Sequence, residues 1–206
     1  MCNSLTLYQV LALTLQLLGI LAALFLGAVA LFREQLNAKF RPPVLKITDT
    51  ETNGAISKHG DGSLFMYYHL DVLNGRPTSV AKECKVVLIA FQKQEVNGSW
   101  TEKALIVPPY FYWAPMDKPD NPLMDIYDYK RFDFLILQQN SNHIGLRLNR
   151  PFHLVDWNIY ANTRMRYVLQ VEAKNGRSAR HTFEVAWDGK WTYENLNSIS
   201  IKEITS

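Results

Sequence analysis

No charged side chain occurs before Arg33, and residues 5–32 read LTLYQVLALTLQLLGILAALFLGAVALF, an almost unbroken apolar run. As an α-helix these 28 residues extend roughly 42 Å, more than the ~30 Å hydrocarbon core of a bilayer, so the pattern predicts a membrane-crossing helix that absorbs the excess by tilting. Ala28-Val29-Ala30 has the form of a signal-peptidase site. However, the preceding stretch carries no Lys or Arg, and the apolar run far exceeds the roughly 7–15 residues of a signal sequence, so an uncleaved anchor is expected.

One stripe of this helix differs from the rest. Gln9, Ala12, Gln16, Gly19, Ala23, Gly27 and Ala30 recur at steps of three and four, a heptad-like seam of small and polar residues amid Leu, Ile, Val and Phe. Small residues let helices approach closely, and an intramembrane Gln seeks a hydrogen-bond partner. Self-association is therefore expected. The plainer alternative is a solitary anchor, since Gly and Ala are common in such helices.

Beyond the helix the period falls from 3.6 to two. In 65–74, Met66, Tyr68, Leu70 and Val72 point one way, and Phe65, Tyr67, His69 and Asp71 the other. In 167–173, Tyr167, Leu169, Val171 and Ala173 share a face opposite Gln170 and Glu172; in 181–187, Phe183, Val185 and Trp187 oppose Thr182 and Glu184. Such alternation predicts half-buried strands. The run CKVVLIAF (84–91) is apolar on both faces apart from Lys85, which predicts a strand covered on both sides. Residues 44–48, 101–107, 132–137 and 144–148 are further strand candidates, and 193–201 reads as a short helix or a closing strand. Asn53-Gly54, Asn74-Gly75, Asn97-Gly98, Asn175-Gly176 and Asp188-Gly189 punctuate the pattern, and such steps favour hairpin turns.

The fold expected is mainly β: a single N-terminal transmembrane helix followed by an antiparallel β-sandwich, immunoglobulin-like or jelly-roll-like. The Cys…Trp…Cys hallmark of antibody domains is absent. The divisions predicted are 1–33 for the helix and its short tail, 34–43 for a juxtamembrane neck containing the stiff Arg41-Pro42-Pro43, and 44–206 for the sandwich.

Residues 108–131 break the alternation. PPYFYWAPMDKPDNPLMDIYDYKR is long and rich in Pro and Asp, and loops of this length in compact domains tend to carry function. Tyr110, Phe111, Tyr112 and Trp113 are its candidate partner- or ligand-binding residues, because aromatics mixed with charges suit recognition surfaces. The competing reading is that they cap the open end of the core, leaving at most two exposed.

Charge changes the picture in one respect. A net charge of +3 over 206 residues argues against nucleic acid, which needs a clustered basic face. Locally, Arg33, Lys39, Arg41 and Lys46 follow the helix against Glu34, and no basic side chain precedes it. The positive-inside rule then predicts an outside N-terminus and a cytoplasmic sandwich. The two cysteines, Cys2 and Cys84, lie too far apart in this scheme for a disulfide, and Cys84 reads as a small buried hydrophobe.

Catalytic signatures are missing. The five histidines form no H-x-H or H-E-x-x-H pair, and no Gly-rich phosphate loop or G-x-S-x-G elbow occurs. Asp117, Asp120, Asp125 and Asp128 do not match calcium-loop spacing. No metal and no cofactor are expected. Arg147, Arg150, Arg164, Arg166, Arg177 and Arg180 form an anion site if they gather, and a dispersed solvated set otherwise.

The function expected is that of a non-enzymatic membrane protein, homo-oligomeric through its helix, binding a protein or small-ligand partner. The alternative is an oligomeric membrane effector, pore-forming or membrane-disrupting as in bacterial defence, with Gln9 and Gln16 as its polar path.

Overall fold

A computed structural model describes residues 7–33, 40–49, 54–114, 122–149, 156–176, 179–191 and 198–204. The chain divides into two compact units, Met1–Arg41 and Pro42–Ser206. The boundary falls at the Arg41-Pro42-Pro43 break.

In the first unit, α1 spans Leu7–Leu31. Within Tyr8–Leu31 the most apolar window has mean hydropathy 2.3, and none of it is buried within the protein. By length and composition this is one helix able to cross a membrane. Thr14 Oγ1 donates to the Leu11 carbonyl at 2.8 Å, which satisfies a hydroxyl that hydrocarbon would leave unpaired. A methyl group added at Gly19 or Gly27 would meet nothing within 4 Å among the described residues, so both leave open space on the stripe.

The second unit is a β-sandwich of two antiparallel sheets. Its strands are β1 Leu45–Thr48, β2 Ala55–Lys58, β3 Leu64–Asn74, β4 Ala81–Gln94, β5 Trp100–Ala104, β6 Tyr110–Phe111, β7 Met124–Ile126, β8 Tyr129–Gln138, β9 His143–Leu146, β10 Leu148–Asn149, β11 Ile159–Tyr160, β12 Thr163–Glu172, β13 Ala179–Trp187 and β14 Ile199–Ile204. The first sheet runs β1-β3-β8-β9-β11, with β2 also on β3; the second runs β10-β6-β4-β12-β13-β14, with β5 and β7 also on β4.

Alternation along the long strands makes the core. Met66, Tyr68, Leu70 and Val72 are fully buried, as are Tyr167, Leu169, Val171, Phe183, Val185 and Trp187 from the opposite sheet. Phe134 of β8 joins the layers: its ring lies 5.8 Å from Tyr167 (edge-on), 5.8 Å from Phe111 and 6.0 Å from Phe183. Such pairs add about 0.5–1.5 kcal/mol each beyond area burial. Tyr167 is inside yet satisfied, donating to the Trp157 carbonyl at 2.7 Å.

The apolar run 84–91 is part of the central strand β4, and Val87 and Ala90 on its outer face are buried along with Cys84, Val86 and Leu88 on its inner face. Gly98, at φ 83°, closes the β4–β5 hairpin; glycine adopts that backbone conformation without steric cost.

Several expectations shift. Asn74-Gly75 makes no hairpin: the chain passes to the other sheet, and the buried Asn74 amide donates to the Ser79 and Tyr127 carbonyls at 2.8 and 3.1 Å. Residues 144–148 are two strands, β9 in the first sheet and β10 in the second, because the chain turns the sandwich corner at Arg147. Segment 108–131 holds β6, β7 and the start of β8, and Trp113 bridges Phe132. Asn53, Asp117, Asp120, Arg150, Arg177, Cys2 and most of 193–201 lie outside the described residues.

Candidate functional site

The outer face of the first sheet carries a cleft of about 480 Å³ lined by Ala55, Ile56 and Ser57 of β2, Tyr67 and His69 of β3, Arg131 and Asp133 of β8, and Ala114 and Arg147. Strand register explains the grouping. His69 pairs directly with Asp133, and Asp71 with Arg131, so an imidazole–carboxylate pair and a guanidinium–carboxylate pair stand side by side on one face. The β3–β8 register slips between Tyr68 and His69, leaving Phe134 as the extra residue. This bulge turns Phe134 and Leu135 both inward and leaves Asp133 facing out beside His69.

The polar groups are closely held. Arg131 Nε donates to Asp71 Oδ1 at 3.0 Å and its Nη2 reaches Asp71 Oδ2 at 3.4 Å, a forked contact on a buried carboxylate. His69 Nδ1 lies 3.0 Å from Asp133 Oδ1, an ion-pair distance without hydrogen-bond alignment. Tyr67 Oη is 3.1 Å from His59 Nε2. Burial pushes the Tyr67 phenol above its usual range; the positive Arg147 opposes that rise and the negative Asp133 adds to it. Both groups therefore act on the Tyr67 hydroxyl.

Ser57, His69 and Asp133 share the cleft but do not form a catalytic triad. Ser57 pairs with Phe65, four residues along β3 from His69, or roughly 13 Å at strand rise. The imidazole cannot take the Ser57 proton from there. What the lining offers is charged and hydrogen-bonding side chains on β3 and β8, with Ala55 on one flank and Ala114 on the other.

The four candidate aromatics separate by alternation. Phe111 and Trp113 are buried, while Tyr110 and Tyr112 are half-buried. Phe111 lies 5.4 Å from Phe132, and Trp113 meets the same ring edge-on at 6.3 Å while its Nε1 donates to the Pro122 carbonyl at 2.8 Å. Only the two tyrosines have surface to offer a partner. Tyr110 Oη accepts from Asn149 Nδ2. Tyr112 borders the cleft: the Arg147 guanidinium sits 5.1 Å from its ring centroid, and its carbonyl accepts from the Asp133 amide at 2.9 Å.

The arginines disperse among the described residues. Arg164 and Arg166 share Glu184, and Arg166 also stacks on Trp100 at 3.8 Å. Arg180 donates to Gln170, and of the described members of the set only Arg147 lines the cleft. Asp125 is engaged by Lys82 at 3.4 Å and by the Glu83 amide at 2.9 Å, and no group of three or more potential metal ligands occurs among the described residues. Gln9, Ala12, Gln16, Gly19, Ala23, Gly27 and Ala30 all lie within α1, whose turn brings their spacing onto one stripe.

Sequence reasoning did not single out His69, Asp71, Arg131 and Asp133 as a group. The available signal was polar alternation: Tyr67-His69-Asp71 and Arg131-Asp133 each interrupt apolar strands at every second residue. No protein-family model matches the chain, and no curated protein matches it.

Proposed function

We propose that this chain is a non-enzymatic, membrane-anchored binding and assembly protein. In this reading α1 holds it in the bilayer and self-associates along its small-residue seam, and the sandwich binds a ligand or protein partner from the cytoplasm. The observation that carries the reading is α1 itself: 24 consecutive residues whose most apolar window has mean hydropathy 2.3 and is not buried by the rest of the chain. Water would penalise that surface at about 25 cal/mol per Å², whereas lipid or a second helix removes the penalty.

Three further features support the details. Open space at Gly19 and Gly27 suits close helix contact. The basic residues Arg33, Lys39, Arg41 and Lys46 favour a cytoplasmic sandwich and an outside N-terminus. The cleft beside Tyr112 and Arg147 is the candidate ligand site, since it is concave and brings several polar side chains together.

Alkaline carbonate extraction of membranes tests the anchor, and protease digestion of right-side-out and inverted vesicles tests the orientation. The expected result is retention in the pellet, with the sandwich cleaved only in inverted vesicles. Release by carbonate sinks the anchor, and cleavage in right-side-out vesicles sinks the orientation.

The second reading, an oligomeric membrane effector, draws on Gln9 and Gln16, two amides seven residues apart on the seam, because polar side chains within a span are costly and mark function. Replacing both with Leu should abolish ion leakage from vesicles while the sandwich stays folded; leakage that persists rules out the polar path.

A further inference from the structure

The end of the sandwich where the chain enters it carries an exposed rim of aromatic and basic side chains. Three segments meet there through the backbone. The Gly75 amide donates to the Val44 carbonyl at 2.9 Å, and the Asn74 amide donates to the Asp128 carbonyl at 2.7 Å. One row further in, Lys46 pairs with Leu73, and Leu73 with Tyr129. Directly opposed residues share a face. Their neighbours Leu45, Ile47 and Val72 are turned into the core, so Lys46 and Tyr129 stand on the outer face. Arg76 ties the entry together: its backbone amide donates to Asn74 Oδ1 at 3.0 Å, and its Nη1 donates to the Pro42 carbonyl at 3.2 Å.

The exposure at this rim sets it apart from the rest of the domain. Tyr127 and Tyr129 are 63% and 58% exposed, whereas every other described tyrosine of the sandwich is buried or half-buried. Val44 is exposed on the same end. A tyrosine has an apolar ring and a polar tip, the combination that gathers at the boundary between hydrocarbon and water. Lys46 and Arg76 are exposed beside the tyrosines. Of the carboxylates on the same segment, Asp125 is engaged by Lys82 at 3.4 Å, and Asp128 lies between the two tyrosines.

Chain continuity says what lies opposite. Helix α1 ends at Leu31, and Pro42 is already bonded to Arg76 of the sandwich. Residues 32–41 bridge less than about 40 Å even when fully extended, and they add Arg33, Lys39 and Arg41 against Glu34. A bilayer that holds α1 therefore comes within reach of this rim, and its anionic lipids attract basic side chains over about a Debye length. The far end of the domain is different. Ala81, at the start of β4, pairs with Ile126 next to the rim. Val96 lies beyond the other end of that 14-residue strand, roughly 45 Å away at strand rise.

We propose that this rim docks on the surface of an anionic bilayer, with Tyr127 and Tyr129 entering the headgroup region and Lys46 and Arg76 facing lipid phosphates. The proposal rests on α1 being a membrane anchor. It adds a second, reversible contact that fixes which end of the sandwich meets the lipid.

The test uses the full-length chain reconstituted into vesicles of phosphatidylcholine with phosphatidylglycerol. Cys2→Ser removes one thiol, and Cys84 is fully buried. A fluorophore is then placed through Thr78→Cys, exposed at the rim, or through Val96→Cys at the far end. Quenching by a lipid with a nitroxide on its headgroup reads the approach of each position. The label at 78 is expected to be quenched and the label at 96 to be spared. Tyr127→Ser with Tyr129→Ser should bring the quenching at 78 down toward the level at 96. Tyr127→Ser alone, which lies outside the strands, carries the comparison if the double variant melts early. Vesicles of phosphatidylcholine alone, or added salt, should weaken the quenching at 78. Equal quenching at 78 and 96 overturns the docking, as does quenching at 78 that ignores the loss of the tyrosines, because a sandwich that is merely tethered gives that result. Quenching that ignores both lipid charge and salt overturns the role given to Lys46 and Arg76. If the chain does not float with the vesicles at all, the anchor itself fails and the docking fails with it.

Discussion

The helix and the sandwich use the same side chains in opposite ways. Leu15, Leu17 and Leu24 of α1 are 59–65% exposed, whereas Leu70, Leu88 and Leu169 of the sandwich are 0% exposed. The sandwich sorts its residues by alternation, with apolar side chains inward and Arg, Glu and Gln outward, as water requires. The helix is apolar around most of its circumference, and its one distinct stripe gathers small residues with the two amides Gln9 and Gln16. A surface of this kind is long and apolar enough to cross a membrane, and small residues are what packing between helices in lipid favours. The cleft supplies a third case, since its carboxylate, imidazole and guanidiniums are concentrated on one outer face of one sheet.

The sharpest way to break this contrast is to damage each region in its own terms. Phe134→Ala removes the ring that joins the two layers and should cost the sandwich about 3–5 kcal/mol, read by chemical denaturation. A loss below about 1 kcal/mol would mean that the inner faces do not meet at that ring. Leu18→Arg, near the middle of α1, should cost roughly 2.5–3.5 kcal/mol of membrane insertion, read as a shift from pellet to supernatant, with the melting of the sandwich unchanged. Arg131→Met leaves Asp71 buried without its forked partner. Because Arg131 is itself about one-third exposed (32%), the cost should be about 1–3 kcal/mol, less than for a fully buried pair.

A smaller effect concerns Asp49. Burial raises its carboxyl above the ordinary value of 3.8, and its Oδ1 is buried with no hydrogen-bond partner among the described residues. The folded state therefore holds the proton to higher pH than the unfolded state, and stability falls as pH rises through that window. Asp49→Asn should raise the melting temperature at neutral pH, and the gain should vanish as pH falls toward 3.8. An equal gain at all pH values would contradict a desolvated carboxylate. The smallest effect on the sandwich should come from the double change Gly19→Leu with Gly27→Leu, which leaves its melting temperature unaltered while weakening self-association of the helix.

The two regions also differed in how well they read from sequence. The helix was legible because twenty-odd apolar residues without a charge have few alternatives. The strand faces were legible because period two survives wherever one side is buried: the inward set Met66, Tyr68, Leu70 and Val72 is fully buried. What failed depended on long-range geometry. Asn74-Gly75 has the composition of a hairpin, yet the strand it ends continues in the other sheet, and the Asn74 amide serves the crossover instead. Residues 144–148 keep one unbroken alternation across a sheet corner, so nothing local marks the switch. Tyr110–Trp113 carried two readings, a recognition patch or caps on the core with at most two exposed, and which of them turn inward was settled only by the strand: Phe111 and Trp113 are buried, Tyr110 and Tyr112 half-buried. The cleft was least legible, because His69 meets Asp133 and Asp71 meets Arg131 only once β3 and β8 are paired in a particular register.

If the proposed function is right, α1, and not the sandwich, is the surface through which copies of this chain meet. The measurement that tests it most directly is the mass of the full-length protein in mild detergent beside that of residues 42–206 in plain buffer. The account predicts a defined oligomer for the full chain, a monomer for the shorter one, and a monomer again when Gly19 and Gly27 are both replaced by Leu. A monomeric full-length protein would make α1 a plain anchor. An oligomer that survives without α1 would move assembly to the sandwich and contradict the claim outright.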